Sequence, residues 1–86
     1  MEKRIADFFK RNKFKPQVPF TTKEGITYYG KKNGDIIGLC VEDGLRVLFR
    51  AWQRLIEEYR PLVVAEFGEP KNEHETGGYY FMEYGL

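Results

Sequence analysis

Residues 43–61 read Asp-Gly-Leu-Arg-Val-Leu-Phe-Arg-Ala-Trp-Gln-Arg-Leu-Ile-Glu-Glu-Tyr-Arg-Pro. Leu45, Leu48, Phe49, Trp52, Leu55, Ile56 and Tyr59 recur at steps of three and four and fall within an arc of roughly 120° on a helical wheel, the width of a core-facing stripe. Asp43 stands where it can cap the first turn by accepting a backbone N–H, and Pro61 stands where it can end the last. The pattern predicts an amphipathic helix over residues 44–60. Seven large apolar side chains on one face are not stable in water alone, so the helix must lie on a sheet.

The sheet is announced just upstream. Ile26–Lys32 and Asp35–Val41 flank Asn33-Gly34, a pair suited to a type I′ turn because both central residues need positive φ. A two-residue turn sets the register: Lys32 opposite Asp35, Lys31 opposite Ile36, Tyr29 opposite Gly38, Tyr28 opposite Leu39, Ile26 opposite Val41. Alternation then assigns Ile26, Tyr28, Ile37, Leu39 and Val41 to a core face. Thr27, Tyr29, Lys31, Ile36 and Cys40 take the other, a mixed face.

Further out, Ile5, Phe8, Phe9 and Asn12 share one side of a predicted helix over residues 2–13, which Lys15-Pro16 stops. Gln17–Thr22 reads as an edge strand or irregular arm, since Pro19 has no N–H for a ladder. Downstream, the β-branched run at 62–67 predicts a strand, residues 68–78 a polar loop, and Tyr79–Tyr84 a final strand. The expected order is α-β-β-β-α-β-β: an α+β fold, mainly an antiparallel sheet of about five strands, with the helix 44–60 packed on one face and residues 1–86 forming a single domain. The order α-β-β-β-α is shared with the double-stranded-RNA-binding domain. That family places a lysine cluster at the start of its second helix, where this chain has Glu42-Asp43-Gly44, so the chain is not assigned to it and function is not inferred from element order.

Composition narrows the function classes. The chain is 42% hydrophobic, 16% aromatic and 31% charged, which is neither a disordered nor a membrane composition. The longest apolar run, Leu62–Ala65, is far short of a membrane span, and no secretory leader pattern is visible. The single cysteine, Cys40, cannot form an internal disulfide. It reads as a small buried hydrophobe, and the expected location is cytoplasmic. Net charge is +1 but unevenly spread: residues 1–32 hold nine Lys/Arg and three acids, and residues 61–86 hold one lysine and five acids.

No catalytic constellation emerges. The acids are scattered, the sole histidine, His74, sits in the polar segment, and Glu73-His74-Glu75 lacks metal-site spacing. The chain is therefore expected to be non-enzymatic, with no metal, no small-molecule cofactor and no membrane partner. The expectation is a small protein-binding module, a regulator or inhibitor of prokaryotic, viral or phage type. It would act through exposed aromatics, namely Tyr80, Met82 and Tyr84 on one row of the last strand with Tyr29 on the hairpin. It would bind another protein or itself as a homodimer, with Tyr79–Tyr84 offering a strand edge. The alternative is nucleic-acid binding. Lys10, Arg11, Lys13, Lys15, Lys31 and Lys32 of the first helix and hairpin tip would supply it, with Arg46, Arg50 and Arg54 as a helical arginine stripe. That stripe reads first as a solvated face tied by Glu42–Arg46 and Arg54–Glu58.

Overall fold

Asn33 and Gly34 both take positive φ, 53° and 85°, as a two-residue hairpin turn requires. In the computed structural model, which describes residues 1–85, the elements are α1 (Glu2–Arg11), β1 (Lys15–Pro16), β2 (Phe20–Thr21), β3 (Ile26–Lys32), β4 (Asp35–Val41), β5 (Gly44–Arg50), α2 (Gln53–Phe67), β6 (Asn72–Thr76) and β7 (Tyr79–Gly85). β3 and β4 pair in the expected register, from Lys32 opposite Asp35 to Ile26 opposite Val41. The architecture is α+β, with a seven-stranded sheet ordered β1-β3-β4-β5-β7-β6, β2 also pairing with β3, and every pairing antiparallel.

The deciding stretch divides in two. Residues 44–50 form a strand, and the helix begins only at Gln53. Leu45-Arg46-Val47-Leu48-Phe49-Arg50 satisfies two periods at once. Its alternate residues Leu45, Val47 and Phe49 are buried to 2%, 0% and 1% exposure. Asp43, expected to cap a helix, instead belongs with Gly44 to a turn in which the Glu42 N–H donates to the Gly44 carbonyl at 3.0 Å. Val41 then pairs with Leu45, and β5 zips onto β4. The short connection and β-branched Val47 favour the strand.

The helix consequently extends beyond its expected end. Residues 62–67, expected as a strand, are the last turns of α2, with Pro61 inside it. Pro61 is exposed, so its missing N–H lies on the solvent side. Leu55, Tyr59 and Val63, at i, i+4 and i+8, are the buried stripe. Gly68 (φ 83°) closes the helix by donating to the Val64 carbonyl at 2.8 Å. The segment 68–78, expected as a loop, contains β6 and a second two-residue turn, Gly77-Gly78, both with positive φ. The element order shared with the double-stranded-RNA-binding domain is thereby lost.

α1 lies beside α2 on the same sheet face. Phe8 of α1 meets Phe67 of α2 at 5.7 Å between ring centroids. Arg4 and Arg11 both pair with Glu66. Phe9 presses on the sheet at Gly30, where an added Cβ would stand 2.7 Å from the Phe9 ring and 3.0 Å from Phe14 Cβ. Ile37, Leu39, Leu45, Val47, Phe49, Met82 and Tyr84 supply the sheet side of the core. Gly30→Ala is expected to lower stability by ~1–3 kcal/mol, because both helix-side rings are boxed in by other core side chains. Urea denaturation measures this, and an unchanged midpoint would show that α1 yields freely.

Candidate functional site

With both helices on one face, the other carries no helix. Alternation turns a defined set of side chains onto it, and the register aligns them in rows across the strands. At the hairpin-tip end, Lys15 pairs with Lys31, Lys31 with Ile36 and Arg50 with Tyr79, while Ile36 and Arg50 adjoin through the neighbouring Ile37–Phe49 pair. The middle row is Tyr29, Gly38, Leu48, Phe81 and His74. The far row is Thr27, Cys40, Arg46, Glu83 and Asn72.

Three of the six large apolar side chains exposed among the described residues cluster here, the others being Met1, Val18 and Phe20. Ile36 is 50% exposed, Tyr79 38% and Trp52, where β5 leads into α2, 53%. Tyr29, Leu48 and Phe81 are half-buried among one another. Tyr29 and Leu48 lean over buried Gly38, where a Cβ would lie 3.2 Å from the one and 3.3 Å from the other. Beside them, Ile36, Arg50, Trp52 and Tyr79 line a groove of ≈ 570 Å³. At its edge, the Arg50 guanidinium lies 5.0 Å from the Tyr79 ring centroid and 5.8 Å from that of Trp52. His74 stacks on Phe81 at 5.0 Å, closing the far side of the middle row.

The residues expected to bind a partner are placed differently. Met82 is fully buried and Tyr84 is 9% exposed. Tyr80 packs half-buried against the core and donates its hydroxyl to Glu73. These three face the helices and are core residues. The exposed row of the last strand is Tyr79, Phe81 and Glu83, and of the expected set only Tyr29 lies on the open face. Nor does Tyr79–Tyr84 offer a strand edge, because β7 is interior, between β5 and β6. The true edges discourage strand addition. β6 reads Asn-Glu-His-Glu-Thr, and the opposite edge is broken into two pieces around Pro16 and Pro19.

The expected cationic set is split. Lys15, Lys31, Arg46 and Arg50 lie on the open face, while Lys10 and Lys13 are exposed beside the helices. Lys32 turns to the helix side, 5.5 Å from the Phe14 ring centroid. Arg11 is engaged by Glu66. Arg46, Arg50 and Arg54 do not form a helical stripe, because the first two stand on a strand and Arg54, on α2, forks onto Asp35 at 3.0 and 3.1 Å. Cys40 is half-buried, with its thiol 3.4 Å from Glu42.

The carboxylates are held mainly on the helix side and along β6. Arg54 holds Asp35 below its ordinary pKa. Arg60 does the same for Glu73, with Tyr80 adding a second donor. Asn72, followed by Arg46 and His74, does so for Glu83. Burial pushes the Tyr84 hydroxyl up to about 12, and it donates to the Gly68 carbonyl at 2.8 Å. Glu73 and His74 point to opposite sheet faces, one to Arg60 and the other to Phe81. No group of three or more His, Cys, Asp or Glu among the described residues is placed to hold a metal ion. No helix among them is long and apolar enough to cross a membrane.

Comparison of the chain with protein-family models, curated proteins and solved structures finds no match.

The three depressed carboxylates set an acid limit on stability. A carboxyl whose folded pKa lies below its unfolded one contributes stability above the unfolded value and loses it as pH falls through the folded value. The urea midpoint is therefore expected to be flat from about pH 8 to pH 5 and to decline below about pH 4. Glu73→Gln should flatten that decline. A midpoint independent of pH down to 3 would contradict this assignment.

Proposed function

We propose that this chain is a protein-binding module and that its docking surface is the open face of the sheet. The observation that carries this reading is the layering. Both helices cover one face, and the other presents Tyr29, Ile36, Leu48, Trp52, Tyr79 and Phe81 with an arginine among them. Tyr, Trp and Arg are the residues that dominate binding energy at protein interfaces. Aliphatic Ile36 and Leu48 at the centre suit a protein partner, because they offer no flat ring for a base. A sequence pI of about 7.8 is also below the basic balance of a dedicated nucleic-acid binder. The regulator or inhibitor role belongs with this reading: the chain would act by covering a partner's surface.

The test compares wild-type protein with an Ile36→Lys/Tyr79→Ser double variant, both side chains being at the surface, after circular dichroism shows equal folding. A partner retained from the native host by wild type should bind the variant at least about tenfold more weakly. Equal retention would sink the reading. Binding of short single-stranded DNA or RNA that weakens steeply with salt, in place of any protein, would replace it with the nucleic-acid one.

A further inference from the structure

Arg50 differs from every other arginine in the chain. Arg4 and Arg11 pair with Glu66, Arg46 with Glu83, Arg54 with Asp35, and Arg60 with Glu69 and Glu73. Arg50 contacts no carboxylate among the described residues. Its guanidinium is instead held near two aromatic rings, those of Tyr79 and Trp52. Such a group keeps its fork of N–H donors free while its aromatic neighbours limit its motion.

The surroundings say what would satisfy it. The groove is walled by Tyr29, Ile36, Leu48 and Trp52, and its ≈ 570 Å³ lies within the roughly 300–1,000 Å³ of pockets that seat compact ligands. Lys31 and Lys15 continue the positive row away from Arg50. Asp35, which lines the groove, is forked by Arg54, and the carboxylates at the other end of the face are also engaged, Glu83 by Arg46 and Asn72, and Glu42 by the Cys40 thiol. A second copy of the same face would therefore bring either cations against cations or carboxylates already satisfied.

We propose that the hairpin-tip end of the open face binds an acidic, apolar-anchored segment of another protein. One large apolar side chain seats in this groove, and a carboxylate within two residues of it takes a forked pair of hydrogen bonds from Arg50. This rests on the docking reading above and specifies the chemistry of the partner. The fork gives direction, since a planar guanidinium accepts a carboxylate in a narrow range of approach. The groove gives the contact area.

The probe is a library of phage-displayed random dodecapeptides selected against the whole chain. Selected peptides are then synthesised and titrated while the emission of Trp52, the only tryptophan, is followed at the groove. The expected winners carry Asp or Glu within two residues of Trp, Phe or Leu and perturb Trp52. They weaken by about tenfold or more when their acid is changed to its amide or when Arg50→Met removes the charge and keeps the stem. Arg50→Glu should instead favour versions with Lys in place of the acid. Peptides that perturb Trp52 and depend on Ile36 and Tyr79, yet show no preference for an acid, overturn this inference and leave the docking reading standing. No peptide perturbing Trp52, or a twelve-nucleotide oligo(dT) doing so in their place, overturns both. Sedimentation showing a dimer that Arg50→Glu dissociates would assign the face to a second copy and overturn the inference.

Discussion

Tyr59 is the contact through which the three parts of the molecule hold each other. Its ring meets Phe14, just after α1, edge-on at 5.4 Å and meets Phe49 of β5 edge-on at 5.6 Å. Its hydroxyl donates to the Lys32 carbonyl at 3.4 Å, at the end of β3. The ring is fully buried. One side chain thus joins both helical regions to the centre of the sheet, and edge-to-face pairs of this kind are each worth about 0.5–1.5 kcal/mol beyond the area they bury. Burial, reinforced by the nearby Asp35 carboxylate, raises the Tyr59 pKa well above the ordinary phenol value. Because Tyr59 draws α1 and α2 to one side, the opposite side of the sheet is left without a layer. The candidate site is the complement of this packing choice.

How much of this the sequence disclosed depends on whether a segment obeyed one local rule or two. Asn33-Gly34 permits one reading, and the hairpin formed with the expected register to the residue. Ile5, Phe8 and Phe9 likewise admit one period, and α1 formed. Residues 45–50 admit both the helical and the strand period, and the balance lay in Asp43-Gly44, a cap signal and a turn signal at once. The β-branched run after Pro61 became helix because Val63 sits one turn beyond Tyr59 and continues its buried stripe. Tertiary burial there outweighed local preference.

The site was harder to see than the fold. Its rows run across strands, so Lys31, Ile36, Arg50 and Tyr79 are neighbours only once β7 lies next to β5. Choosing between the Tyr79/Phe81 row and the Tyr80/Met82/Tyr84 row required knowing which face the helices cover, and that follows from Tyr59 and Gly30. A signal was nevertheless present. Gly38, in an apolar strand opposite Tyr29, leaves room for the Tyr29 ring and Leu48 to lean over it, and a glycine inside a strand often marks such close approach by another group.

The pairing of β5 with β7 has a consequence for how the chain reaches this structure. Leu45 lies opposite Tyr84, nearly half the chain away, and the intervening residues must first wind into α2 and turn back through β6. The β3–β4–β5 meander can form from local contacts as it is synthesised, but it would expose the apolar edge of β5 until residues 79–85 arrive. Among the strand pairings, that of β5 with β7 closes the longest loop, and long-range pairing is intrinsically slow. During that interval the nascent chain is open to association along β5, a hazard that the charged and proline-broken edges of the finished sheet no longer present.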